Sequence, residues 1–322
     1  MNSLLSRFHS SGLAKLATAL VLTLVAVRAI AASPFRAGDI LYTDSFGAVL
    51  RLSTATGERT IVASGGKLAQ PFGIALDANG DILVSDTGAQ AIIRINSLTG
   101  SQSVVAAGAK LGFPFGIAID LSGDILVANG EAILRLNPMA GQPITISGRG
   151  HFGGSGGHPL GIAVAENGDL IVANVGSPSE IVRVNPRNGV QTIVSQGSYL
   201  RNPRAIAVNG NDVYVTDVAT PDGNFGIGIV IHVDLSTGSQ TVLASGGNLV
   251  GPVGIAVDPN GQLVVGDPYT INPESRDLYD GGIIRIDPVG GGQFLIVRGQ
   301  ENSVNPRGIA IVRAAGTVRR GP

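Results

Sequence analysis

Short apolar runs separated by turn residues fill most of this chain, and they recur on one plan. Each unit holds four runs. The first follows a proline, as in 73–76, 116–119 and 161–164. The second follows a tight turn such as Asn79-Gly80-Asp81 or Ser122-Gly123-Asp124. It reads Ile82-Leu83-Val84, Ile125-Leu126-Val127, Leu170-Ile171-Val172, Val213-Tyr214-Val215 and Leu263-Val264-Val265. The third sets a basic residue among β-branched neighbours, at 92–95, 133–136, 181–184, 230–233 and 283–286. The fourth follows a turn such as Thr99-Gly100 or Asn188-Gly189. Runs this short, rich in Val and Ile and bounded by Gly, Asn, Asp and Pro, predict strands rather than helices.

The unit is marked by Pro-x-Gly-Ile-Ala at 71–75, 114–118, 159–163 and 252–256, with variants at 203–207 and 306–310. Successive prolines stand 43 to 54 residues apart. Four antiparallel strands in a repeat of that length predict one propeller blade. The last proline motif has no second, third or fourth strand after it. The start of the chain supplies them at 39–42, 49–52 and 60–62. The expected fold is therefore all-β: a six-bladed β-propeller of four-stranded antiparallel blades. Its C-terminal strand (306–312) joins the N-terminal strands (39–62) and closes the ring, which leaves no open edge between first and last blades.

Residues 1–31 read as a secretory signal, with Arg7 and Lys15 before an apolar core at 16–27 and an Ala29-Ile30-Ala31 cleavage site. The apolar run is shorter than the ~20 residues that span a bilayer. The expectation is a secreted or periplasmic protein with no membrane attachment after cleavage, a propeller over 32–312 and a basic, disordered tail at 313–322. The chain has no cysteine, so strand pairing alone closes the ring. A net charge of −1 with 14% charged residues argues against nucleic acid as a partner.

Propeller geometry puts the start of strand one and the end of strand two on one face, at the mouth of the central channel. The residues before the repeat proline there are Gln70, Phe113, His158, Asn202, Gly251 and Asn305. Those after it are Phe72, Phe115, Leu160, Arg204, Val253 and Arg307. Strand two ends in Asp44, Asp86, Asn129, Asn174, Asp217 and Asp267, an Asp/Asn pattern that reads first as Asx turns bonding the following backbone. The positions flanking the proline are not uniform, and a repeat that varies on one face points to a ligand. The candidate ligand-binding residues are Arg204, Arg307, His158, Phe72, Phe115, Asn202 and Asn305. The connection from strand two to strand three also lengthens, to 13 residues after Asp217 and 16 after Asp267, as binding loops do.

Two short motifs carry no chemistry. The G-x-S-x-G match at 153–157 has no following helix to form a nucleophile elbow. The G-x-G-x-x-G match at 148–153 lacks a βαβ setting. The segment 147–158 is expected to be a long flexible loop between blades. His232 takes the strand-three place held elsewhere by Arg51, Arg94, Arg135, Arg183 and Arg285, and reads as a structural variant.

The runs Pro71-Phe72-Gly73-Ile74-Ala75-Leu76-Asp77, Gly80-Asp81-Ile82-Leu83-Val84-Ser85-Asp86 and Ile93-Arg94-Ile95 resemble NHL-repeat propellers and the wider six-bladed group that includes gluconolactonase- and regucalcin-like proteins. The resemblance covers nearly all of 32–312. It implies the fold strongly and the activity weakly. The lactonase-like enzymes hold a divalent metal in the channel mouth with Glu, Asn and Asp. Here Asn174, Asp217 and Asp267 are the candidate ligands for such a cation, Ca²⁺ or Mg²⁺, and no Glu stands at a channel position. The Pro-x-Gly-Ile-Ala repeats also resemble streptogramin lyase, which uses a His and a Mg²⁺ site bound by Glu. His158 is the candidate catalytic base, though the strand-two endings Val-Ser-Asp and Val-Ala-Asn depart from that enzyme's aromatic ones.

The leading expectation is an exported propeller that binds a small molecule or a protein partner at the channel mouth. The first alternative is a metal-dependent hydrolase or lactonase, with Arg204 holding an anionic substrate group. A lyase with His158 as base is the second.

Overall fold

The structure, a computed structural model, describes residues 35–139, 141–153, 157–219, 225–269, 281–298 and 305–314. Residues from Phe35 onward form one compact unit. The expected signal at 1–31, residues 315–322 of the tail, Ser155 of the G-x-S-x-G match and most of the loop after Asp267 lie outside the described residues.

Six four-stranded antiparallel sheets make up the ring. Blade one is assembled from both ends of the chain: Pro306–Ile311 pairs with Ile40–Asp44, followed by Ala48–Leu52 and Arg59–Ser64. This is the expected closure. Blade two comprises Pro71–Leu76, Ile82–Asp86, Ala91–Ile95 and Gln102–Ala107. Blade three comprises Pro114–Ile119, Ile125–Asn129, Ala132–Leu136 and Pro143–Gly148. Blade four runs through His158–Val164, Leu170–Val175, Glu180–Val184 and Gln191–Gln196. Blade five runs through Pro203–Asn209, Asp212–Ala219, Phe225–Asp234 and Gln240–Ser245. Blade six holds Gly254–Val257, Leu263–Asp267, Gly282–Ile286 and Gln293–Arg298. Among the described residues no helix is long and apolar enough to cross a membrane.

The core lies between blades. Ile82 and Val84 pack toward blade one with Leu41 and Val49, whereas Leu83, one residue along, packs toward blade three with Ile117 and Val127. Strand residues alternate faces, and here both faces meet a neighbouring blade. That is why strand two reads as an unbroken apolar run rather than as alternation. Glycine makes the inner strands' close approach possible. A Cβ at Gly73 would lie 2.6 Å from the Phe115 carbonyl oxygen, and one at Gly254 would lie 1.9 Å from that of Arg307.

Glutamines at the start of strand four latch neighbouring blades together. Gln240 accepts from the Tyr199 amide (3.0 Å) and donates to Ser195 Oγ (2.9 Å). Gln293 does the same for Asn248 and Gly246, and Gln102 accepts from Lys67.

Two expectations about loops are corrected. The 13-residue connection after Asp217 is mostly hairpin, because strands two and three of blade five pair on through Ala219↔Phe225. The described part of segment 147–158 is tethered: strand four continues to Gly148, bridges join Arg149 to Phe152 and Gly153 to Gly157, and Phe152 is fully buried.

Candidate functional site

Strand register puts the start of strand one opposite the end of strand two: Pro71↔Asp86, Pro114↔Asn129, Pro159↔Asn174, Pro203↔Asp217 and Pro306↔Asp44. The residue after the proline then falls out of step. Gly73 pairs with Ser85, Gly161 with Ala173 and Ala205 with Thr216, so Phe72, Leu160 and Arg204 have no ladder partner. Each is the extra residue of a β-bulge, a device that re-aims a side chain at sheet rims. The bulge frees this one position of Pro-x-Gly-Ile-Ala from packing duty, while the glycine beside it is fixed by the neighbouring blade.

The bulged residues surround the mouth of an open cavity of about 70 Å³ at the centre of the ring. It is lined at that end by Phe72, Leu160, Arg204 and Val253 and further down by residues such as Ile74 and Ile117. Phe72 and Phe115 meet edge to face, with ring centroids 5.3 Å apart at 76°. The Arg307 guanidinium sits 5.5 Å from the Phe72 centroid, a cation–π contact. Arg204 Nε is buried without a hydrogen-bond partner. Burial holds the Arg204 guanidinium below the ordinary arginine value. Asp217 and Tyr269 pull it back up, and Arg307 pushes it further down. The structure thus brings Phe72, Phe115, Arg204 and Arg307 together. Round the ring the order is Arg307, Phe72, Phe115, Leu160, Arg204, Val253, which makes one arc apolar and the other cationic.

The acids that end strand two serve the backbone. Asp86 accepts from the amides of Ala69, Gln70 and Ala89 at 2.8–2.9 Å. Asp217 accepts from Arg201 and Asn202, and Asp267 from Val250, Gly251 and Tyr269. Asx turns onto the following backbone account for the bonds to Ala89 and Tyr269. The bonds to the two residues before the proline are a second role that the sequence reading did not include. Asn202 and Asn305 belong to that role, since their amides donate to Asp217 and Asp44. Burial pushes the Asp267 carboxyl up to about 6 against the pull of its three amides.

Asn174, Asp217 and Asp267 belong to three different blades. The two acids are engaged with amides of their own blades, while Asn174 Nδ2 donates to the His151 carbonyl (2.9 Å) and to Glu180 Oε2 (3.4 Å). Among the described residues no three His, Asp or Glu side chains are placed to share a metal ion. This is the geometry of turn caps, and it does not fit a cation held jointly by these three residues.

His158 is exposed, and its side chain has no hydrogen-bond partner among the described residues. The histidine that is held is His151. Its Nδ1 lies 3.0 Å from Glu180 Oε2, and its amide donates to Gln191 Oε1 at 2.7 Å. The sequence carried a signal for Glu180 that was missed. It opens strand three of blade four, opposite Asn174, where the equivalent positions in blades one, two, three and six hold Ala48, Ala91, Ala132 and Gly282.

The chain matches no family model and no curated protein. Its fold is that of several solved structures. A chain of the nidogen–laminin complex matches with a TM-score of 0.68 at 15% identity, over 86% of this chain and 98% of that one. Virginiamycin B lyase from Staphylococcus aureus matches with a TM-score of 0.53 at 18% identity, over 74% of this chain and 73% of that one. A streptogramin B lyase structure matches with a TM-score of 0.55, also at 18% identity, over 72% of this chain and 74% of that one. At these identities the likeness establishes the six-bladed fold alone.

Proposed function

We propose that this protein is an exported propeller whose channel mouth binds a small molecule. The observation that carries this reading is the bulge after the repeat proline. It turns Phe72, Leu160 and Arg204 toward the cavity, and Phe115 and Arg307 gather around Phe72 beside it. Ligand sites are concave and mostly apolar, with a few placed polar groups, and this mouth has that make-up. The test is a thermal-shift screen of small molecules on the purified protein, repeated on Phe72→Ala and Arg204→Glu. Ligands that raise the melting temperature of the wild type should do so less in both variants. If every hit stabilises both variants as much as the wild type, the mouth is not the site.

A second reading, an acid–base enzyme, is favoured by the His151–Glu180 pair. A carboxylate on Nδ1 fixes the tautomer and leaves Nε2 as the proton-accepting atom, the arrangement of an oriented general base. Two of the structures sharing the fold are lyases by description, which makes elimination the reaction class to assay. In this reading His151→Gln abolishes turnover and His158→Gln leaves it intact. The reverse pattern would return the base to His158.

A further inference from the structure

The mouth arginines differ from most of the arginines that the repeat places on strand three. Arg51, Arg94, Arg135 and Arg285 each lie within ion-pair distance of a carboxylate. Arg204 and Arg307 form no ion pair and no side-chain hydrogen bond among the described residues. Only Val253 separates them around the ring. A guanidinium that is partly buried and not ion-paired is costly, and two placed near one another add repulsion, which the more distant Asp217 offsets only in part for Arg204. The fold accepts both costs here, whereas of the five strand-three arginines four are ion-paired and the fifth, Arg183, donates to the Leu235 carbonyl. Both costs fall away when an oxyanion is bound, because the planar guanidinium fork matches carboxylate and phosphoryl oxygens. The opposite arc of the ring is Phe72, Phe115 and Leu160, which offers apolar surface and no charge to a ligand's body.

We propose that the mouth takes a small organic anion, its carboxylate or phosphoryl head held by Arg204 and Arg307 and its apolar body against Phe72 and Phe115. The proposal rests on the reading of the mouth as a binding site, and the experiment separates the two.

The experiment is calorimetric titration of the purified protein with phenyl phosphate, benzoate, inorganic phosphate and the neutral benzyl alcohol. Binding of either aromatic anion is expected, weakened about tenfold or more by Arg204→Ala and by Arg307→Ala. Arg204→Lys should recover little of the loss, because an ammonium cannot form the bidentate pair. Phe72→Ala should weaken the aromatic anions and leave inorganic phosphate, if bound, unaffected. Benzyl alcohol binding as tightly as the anions, with the same loss on Phe72→Ala, would overturn the anionic assignment and keep the mouth as the site. Inorganic phosphate binding as tightly as phenyl phosphate would overturn the role of the apolar arc. Probes that bind with no response to any of these substitutions, or that fail to bind at roughly 10 mM, overturn the proposal.

Discussion

The two faces of the ring treat charge in opposite ways. On the face away from the mouth, where strand one turns into strand two, charges are matched one against another. Asp39 meets Arg51, Asp77 and Asp81 meet Arg94, Asp120 and Asp124 meet Arg135, Asp258 meets Arg285 and Asp212 meets His232. On the mouth face, acids are held by backbone amides and the two arginines are held by no acid. The His151–Glu180 pair is the exception there. Paired charge on the first face is part of how a blade is built. Charge on the second is left available, so the two faces should answer differently to the same substitution.

The largest expected contrast is between Arg51→Ala and Arg204→Ala. The Arg51–Asp39 pair is 2.7 Å long, and its side chains are 12% and 1% exposed. Removing the arginine leaves a buried carboxylate uncompensated at the blade that closes the ring, at a cost of about 3 kcal/mol. Arg204 forms no contact ion pair, and Asp217, the acid that acts on it, keeps its amide partners, so its removal should cost no more than about 1 kcal/mol. Denaturant unfolding of both variants checks this. Equal losses would erase the distinction between the faces.

The next effect is the pH dependence of Asp267, an acid of the mouth face that meets only amides. Its carboxyl is raised by burial from 3.8 to about 6. It therefore holds its proton more tightly folded than unfolded, and that contribution to stability is complete below about pH 4. It is lost as pH rises through 6, a fall on the order of 2 kcal/mol. Asp267→Asn should flatten the stability profile between pH 4 and 6. The residue is acceptable in this place, since Asn129 and Asn174 already end strand two in blades three and four. An unchanged slope would mean that another group titrates there.

The fold was legible because the repeat states it six times over, and even the split blade shows as a proline motif with no strands after it. The mouth was half legible. Phe72, Phe115, Arg204 and Arg307 stand out because they vary beside an invariant proline, and the bulge supplies the physical reason for that variation. An Asp that caps backbone amides and an Asp that binds a cation look alike in sequence. What distinguishes them is whether unpaired amides point at the carboxylate, and that depends on how the chain approaches strand one. Of the two histidines in this segment, the repeat singles out His158, beside the proline, and gives no cue to how His151 is held. Its partner Glu180 comes from the next strand pair, across a gap of 29 residues that no local pattern spans.

The smallest effect sharpens the far face at its one irregular member. His232 stands where four other blades have an ion-paired arginine, and its Nε2 lies 2.7 Å from Asp212 Oδ1. Arginine carries its charge at every accessible pH, whereas imidazole carries it only when protonated. His232→Arg should therefore strengthen the pair at pH 8 and do little at pH 5. The Asp212 side chain is 49% exposed, so solvent screening limits the gain to a few tenths of a kcal/mol. Paired denaturation midpoints at the two pH values separate the causes. A gain at pH 8 that vanishes at pH 5 comes from charge. A gain equal at both comes from the longer side chain packing against Tyr214, whose ring centroid lies 5.5 Å from that of His232. In that case the far-face pairs owe their place in the repeat to shape as much as to charge.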